Sequence, residues 1–490
     1  MPESIESPGI DNYFFYQGTC LASRESGLRI PLPRLNQIFW IPIVGYIYIY
    51  LSEIIINPLD KMIRTYLIFL IIFCYNYAVY CQNNDTLSDD NNEKSKICVQ
   101  KDVRDLLRNK NKPPKPPKKN SLLVLPNIGS NPSTGFLIGV GGSVAGYFGS
   151  SKETKISLAG FSVLVTSKNQ FISFLKTNIY TKENLFFLQG DLRYYHYQAP
   201  TFGLGTNSPD SKEYMGGWLW QGADTKDTEG SYPMIYDYFK FHQTVNRNIV
   251  GDLYAGIGYM LDYYWNIEDA ILNLDTIPLQ LTPHFGYSAI NGFDAKKYVL
   301  SGFSINFIFD SRDNQVNPYK GYFANINYRI NQTWLGSDQN SSTLWAEFRT
   351  YIGLSKKTPR HLIAFWVFGD FQITGKRPYL TLMALGEDQR SRSGRGYIGG
   401  RFRGEDYIYG EVEYRFPITQ CSKLIGGVIF INANTASNRE SNVHLFESIR
   451  PAVGFGFRFM VNKYARLNIN LDFGFGFESQ GFYFSGTETF

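Results

Sequence analysis

The sequence is poor in the residues that do chemistry. In 490 residues it has five histidines and five cysteines. His196, His242, His284, His361 and His444 are scattered, with no pair at metal-ligand spacing. The cysteines at 20, 74, 81, 98 and 421 show no such spacing either. Gly139, Gly141, Gly142 and Gly146 lack the ending of a phosphate-binding fingerprint, so they read as glycines easing strand packing. Nothing nominates a hydrolase, and we expect no enzyme, no metal and no cofactor. The formal net charge is only +5, too small for a nucleic-acid partner, and much of it sits in residues 101–119. Mean hydropathy is −0.23, which excludes a bundle of membrane-spanning helices. The apolar run at 38–51 is short for a bilayer, and Glu53 interrupts its continuation.

What the chain has in quantity is aromatic: 35 Tyr and 38 Phe, beside 45 Gly. Such a load suits a sheet with aromatic belts at two water–lipid boundaries. From Thr134 onward the hydropathy period is two. Leu467, Ile469, Leu471, Phe473 and Phe475 alternate with Arg466, Asn468, Asn470 and Asp472. Ala324, Ile326, Tyr328 and Ile330 do the same against Asn325, Asn327 and Arg329, as do Leu344, Ala346, Phe348 and Ile352 against Glu347 and Arg349. Charge in mid-strand on one face and large apolar groups on the other fit lipid outside and a wet lumen inside. The expected fold is therefore all-β, an antiparallel transmembrane barrel of about 16 strands in the outer membrane of a Gram-negative bacterium. Its surroundings would be outer-membrane lipid and lipopolysaccharide.

Ahead of the barrel, residues 62–81 have the order of a secretory signal: Arg64, an apolar run from Tyr66, then Cys81 and a polar exit. Residues 1–61 read as an upstream extension, the alternative being a membrane anchor. Residues 82–124 read as a polar, then basic linker, whose Pro113-Pro114 and Pro116-Pro117 pairs favour an extended chain. Within it, Val103 to Leu107 is a candidate short helix near the barrel mouth. The barrel is expected over 125–490, with an insertion at 198–232. Phe482, Phe484 and Phe490 read as an aromatic closing strand that an insertion machine would dock.

The strongest local signal is Ser393-Gly394-Arg395-Gly396-Tyr397, followed by Glu411-Val412-Glu413-Tyr414-Arg415-Phe416-Pro417. Alternation puts Glu411, Glu413 and Arg415 on the luminal face. Gly394 and Gly396 let a loop turn tightly around Arg395, which could pair with a luminal carboxylate such as Glu413. An exposed basic loop tip fits the residues alone equally well. These motifs resemble the bacterial surface antigen family of outer-membrane barrels, to which BamA and TamA belong. The resemblance implies an extracellular loop between strands eleven and twelve whose Arg395-Gly396-Tyr397 tip enters the lumen, with Glu413 as one partner. The family's second partner is an Asp, replaced here by Asn432, which brings an acceptor but no charge; Asp472 is the candidate to compensate. A second match, Asp310-Ser311-Arg312-Asp313 with Asn317-Pro318-Tyr319-Lys320-Gly321, resembles the family's periplasmic turn between strands eight and nine. Its chemistry reads mainly as a hairpin, with Pro318 fixing φ and Gly321 supplying the reversal.

Family members that insert or secrete proteins usually carry periplasmic domains before the barrel, and the stretch from Gln82 to Gly135 is too short for one plus the linker. The expectation is a barrel that aids assembly or translocation with periplasmic or membrane partner proteins, through a separable seam between strands one and sixteen. The rivals are a passive channel plugged by the Arg395 loop, and a surface-binding barrel acting through loops such as 332–342. Cys98 and Cys421 both fall on the periplasmic side, where a disulfide can form.

Overall fold

The computed structural model describes residues 100–107, 120–131, 135–150, 152–207, 219–220, 223–224, 230–355, 358–389, 391–419 and 421–490. The signal sequence at 62–81, the upstream extension, Cys98 and the proline pairs lie outside the described residues.

Sixteen strands form one antiparallel sheet in which every sequential neighbour pairs. They are β1 Ser121–Asn131, β2 Gly135–Gly146, β3 Ser157–Thr166, β4 Phe171–Tyr180, β5 Phe186–Thr201, β6 Tyr232–Val250, β7 Leu253–Asp269 and β8 Tyr298–Asp310. Then come β9 Gly321–Asn331, β10 Ser341–Gly353, β11 Leu362–Thr374, β12 Tyr407–Pro417, β13 Ile425–Ala436, β14 Arg450–Asn462, β15 Leu467–Gly476 and β16 Ser479–Ser485. This is a sixteen-stranded transmembrane β-barrel. Hydrocarbon offers no partner to a backbone amide, so a sheet can cross it only when its strands satisfy one another. No ladder between β1 and β16 occurs among the described residues.

The two-residue period has the physical cause the sequence suggested. On β8, Phe303, Ile305 and Phe307 are 48%, 47% and 51% exposed and form the lipid face, while Ser304 and Asn306 between them are 1% and 2% exposed and face inward. The three longest connections, 202–231, 270–297 and 375–406, all lie at one end, which identifies it as extracellular.

The structure corrects several boundaries. The wall begins at Ser121, which pairs with Ala145, four residues before the expected start. The stretch expected as an insertion from 198 is still strand as far as Thr201, and β6 starts at Tyr232. Phe490 is not on the closing strand: β16 ends at Ser485, and Phe490 is buried inside the barrel. Phe482 and Phe484 do lie on the lipid face. The reason is polar: Glu488, between them and Phe490, finds its cation inside the lumen.

Two short helices flank the wall. The α1 helix, Val103–Leu107, is closed by a reciprocal cap in which Asp102 and Asp105 each accept from the other's backbone N–H. It docks on the β14–β15 turn, where Lys463 Nζ donates to Asp105 at 2.8 Å and Lys463 N–H to Asp102 at 3.1 Å. The Asp105 carboxylate beside it holds the Lys463 ammonium above its usual range. The α2 helix, Pro283–Asn291, starts with Pro at its first turn and Thr282 accepting from Phe285 N–H.

Just before α1, Lys101 N–H donates to the carbonyl of Ser422 at 2.8 Å. The neighbouring Cys421 is disulfide-bonded, and its partner lies outside the described residues. Cys98 is three residues upstream of Lys101, so peptide mapping without reductant is expected to recover Cys98 joined to Cys421. A free Cys98 thiol, or Cys421 joined to any other cysteine, would sink that assignment.

The lumen is filled at its extracellular half. Tyr236, Tyr238, Tyr264, Tyr298, Tyr287 and Tyr379 pack into one cluster, with the Tyr238 and Tyr264 rings stacked at 4.2 Å. Against the β1–β5 side remains a cavity of about 680 Å³, lined by polar groups that include Lys176, Asp191 and Arg392.

Candidate functional site

The loop between β11 and β12, residues 375–406, folds into the barrel. A two-residue bridge pairing Met383 and Ala384 with Gly404 and Arg403 closes its neck. Arg403 fastens that neck, donating to the Leu382 carbonyl and pairing with Glu387, both at 2.8 Å. Further along, Asp388 accepts from the backbone N–H groups of Arg392 and Ser393 at 3.0 and 2.8 Å. The tip follows with Gly394 at φ +81° and Gly396 at φ +114°, the left-handed region where a side chain is strained.

That tip brings Arg395 to 3% exposure in the lumen. Its Nη1 donates to Asp472 at 2.8 Å, and its Nη2 reaches the carboxylates of both Glu411 and Glu413. The guanidinium lies 3.6 Å above the Phe430 ring centroid, a cation–π contact in a desolvated place. Asn432 touches the loop through its amide: Nδ2 donates to the Arg395 carbonyl at 2.9 Å. The expectation that Asn432 accepts is therefore corrected. A backbone carbonyl is what lies within reach, so the donor end of the amide turns toward it.

Arg395 belongs to a larger network. Arg415 Nε donates to Glu413 at 2.6 Å. Arg458 pairs with Asp472 at 2.5 Å and with Glu488 at 2.7 Å. Three guanidiniums thus face four carboxylates, all buried. Burying such charges is costly unless each is paired and hydrogen-bonded, and here each has a partner of opposite sign.

Backbone and ring contacts finish the docking. Gly396 N–H donates to the Tyr483 hydroxyl at 2.9 Å, and that hydroxyl donates to the Tyr397 carbonyl at 3.2 Å. Tyr397 in turn donates to the Pro451 carbonyl at 2.7 Å. The tip therefore holds β12, β13, β14, β15 and β16 at once. It can lie so close because the wall beneath is glycine: a Cβ on Gly474 would stand 2.5 Å from Gly396 N and 2.8 Å from Arg395 C. Gly474→Ala is expected to lift the tip, and trypsin cleavage at Arg395 in the folded barrel should then speed up by about tenfold or more. Unchanged cleavage would mean that the wall yields instead.

The periplasmic turn, residues 311–320, is more than a hairpin. Arg312 grips Asp310 with Nε at 2.8 Å and Nη2 at 2.9 Å, and Tyr180 donates to the same carboxylate at 2.5 Å. Arg312 and Arg349 flank the Phe323 ring at 4.4 and 4.6 Å. Gln315 reaches the Ile156 carbonyl, and Asp313 pairs with Arg466 at 2.7 Å, so the turn spans the barrel mouth to the β2–β3 and β14–β15 turns. Pro318 sits in this turn, and Gly321 at φ +107° starts β9; a Cβ there would collide with the Ser311 carbonyl. The expectation of a plain hairpin is corrected: charge pairing pulls the turn across the mouth.

Sequence reasoning nominated Arg395, Glu413 and Asp472, and the structure places all three within one network. It missed Arg458 and Glu488. The available signal was Arg458 alone among Phe455, Phe457 and Phe459, at a position whose parity is luminal.

The fold and this loop define a class, outer-membrane barrels with an arginine-tipped loop bound inside the lumen. The family model described as the Omp85 superfamily domain matches residues 226–490, more than half of the chain, and the chain belongs to that superfamily. Membership makes it a barrel of the Gram-negative outer membrane. Among curated proteins none matches. Among solved structures it is similar to BamA from Haemophilus ducreyi lacking POTRA domains 1–3, at 14% identity and TM-score 0.46, covering 76% of this chain and 71% of that one. It is also similar to CdiB from Acinetobacter baumannii, at 12% identity and TM-score 0.42, covering 74% of this chain and 59% of that one.

Proposed function

We propose that this barrel assists the assembly or translocation of envelope components at the outer membrane, together with partner proteins, by moving its loop and its seam. The observation that carries the reading is the docked tip, which ties Arg395, Gly396 and Tyr397 to β12–β16. A loop fastened to the strands beside the β1–β16 edge couples what happens in the lumen to that edge. Support also comes from the edge itself, since β16 is only seven residues long and no ladder to β1 occurs among the described residues. The tyrosine layer and the loop disfavour a standing pore.

The test joins cell and bilayer. Depletion is expected to lower a subset of outer-membrane proteins, and restoring the Arg395→Ala variant is expected not to rescue them. In planar bilayers the purified wild type should be silent and the variant should conduct. An unchanged outer-membrane proteome on depletion, with a steadily conducting wild type, would replace this reading with a passive channel.

A further inference from the structure

The β16 strand stops at Ser485, opposite Asn470, although β15 continues for three more residues toward the periplasm. Instead of completing the wall, residues 486–490 turn into the lumen. Glu488 and Phe490 are buried there, and the groups that hold them come from six different parts of the barrel.

Each side chain has a fitted partner. The Glu488 carboxylate receives Arg458 Nε at 2.7 Å and Asn468 Nδ2 at 2.6 Å. The Phe490 ring lies 5.3 Å from Trp366 on β11 and 6.2 Å from Tyr351 on β10. Arg415 on β12 stands 5.1 Å over the same ring and donates to the main-chain oxygen of Phe490 at 3.1 Å. Between these two points the backbone is gripped. Arg392 of the docked loop donates to the carbonyls of Thr487 and Glu488 at 2.6 and 2.5 Å, and Asn470 donates to that of Thr487 at 2.7 Å.

Both side chains are seated, so the site reads an acid and, two residues on, an aromatic group. Main-chain carbonyls supply affinity and alternate side chains supply specificity, the logic of extended-peptide recognition. Room for exchange is adjacent, because Gly486, Thr487 and Thr489 line the 680 Å³ cavity. We infer that Arg392, Arg415, Arg458, Asn468, Tyr351 and Trp366 form a luminal peptide-binding site. Its resident ligand is 486–490, and it accepts in exchange another extended segment with Glu two residues before an aromatic residue. The inference does not depend on the assembly reading.

The probe is a labelled, amidated Gly-Thr-Glu-Thr-Phe peptide added to the refolded full-length barrel. Wild type, its own segment seated, is expected to bind little. A barrel carrying Glu488→Gln and Phe490→Ala is expected to bind one peptide. Peptides with Gln for Glu, or Ala for Phe, should bind that barrel about tenfold more weakly or worse, the loss of one charge-assisted bond or one buried ring. Adding Arg458→Ala should remove the preference for Glu over Gln. A folded double variant that binds no peptide, or all three alike, overturns the site. A second readout uses Thr489→Cys alone: excess peptide should speed maleimide labelling of the introduced thiol, and an unchanged rate overturns the exchange even where the double variant fails to fold.

Discussion

Arg395→Ala is expected to destabilise the barrel by about 3–5 kcal/mol, the range for removing one partner from a buried ion pair. Its guanidinium answers Glu411, Glu413 and Asp472 together. Without it, four buried carboxylates face only Arg415 and Arg458. Asp472 keeps Arg458, and Glu413 keeps Arg415, so the stranded group is Glu411, left with the Tyr409 hydroxyl. This makes a second, sharper expectation. Glu411→Gln leaves three carboxylates opposite three guanidiniums and keeps an acceptor, so it should cost less than half of what Arg395→Ala costs. Arg395→Lys should recover only part, because an ammonium is a point charge and cannot fork between Asp472 and the two glutamates. Urea unfolding of the refolded barrel in lipid vesicles measures all three. Equal losses for Glu411→Gln and Arg395→Ala would show that shape rather than charge balance holds the tip.

Asp310→Ala is the second large effect, also about 3–5 kcal/mol, and it acts at the opposite end. The carboxylate takes two bonds from Arg312 and one from Tyr180. Truncation leaves a guanidinium buried between Phe323 and the wall without a counter-charge. Asp313, three residues on, is the internal control. Its pair with Arg466 is partly exposed, and such pairs contribute about 0–1 kcal/mol. The same carboxylate accepts from the Tyr319 and Lys320 N–H groups, so Asp313→Ala should cost about 1–2 kcal/mol, clearly less than Asp310→Ala. Comparable losses at the two positions would mean that the whole turn, and not the Asp310–Arg312 grip, fixes the periplasmic mouth.

Much of the barrel was legible along the chain because lipid and lumen impose opposite demands on successive residues. β9, β10 and β15 could be read from that alternation alone. The insertion boundaries were less legible, since the residues at 198–201 belong to a strand longer than the bilayer needs. At the candidate site, the glycines at 394 and 396 and the luminal parity of Glu411 and Glu413 were visible. Glu413 and Asp472 were named as partners only with the help of the family resemblance, and that Glu411 joins them was not visible, because Glu411 and Asp472 lie sixteen and seventy-seven residues away and only the curl of the sheet around the lumen brings them together. Asn432 was legible as a polar group facing inward, but the end of the amide in use depends on the neighbouring carbonyl.

By itself the sequence determined the class of fold, the approximate strand number and the lipid-facing residues, since each follows from local period and composition, while the arginine loop was picked out by its resemblance to a family motif. Tertiary structure alone decided where the charges pair, that the 311–320 turn spans the mouth, and that Phe490 sits inside rather than on the wall. The physical reason is common to these cases. A buried charge is tolerable only beside its opposite, and the chain leaves its regular path wherever that partner lies across the lumen.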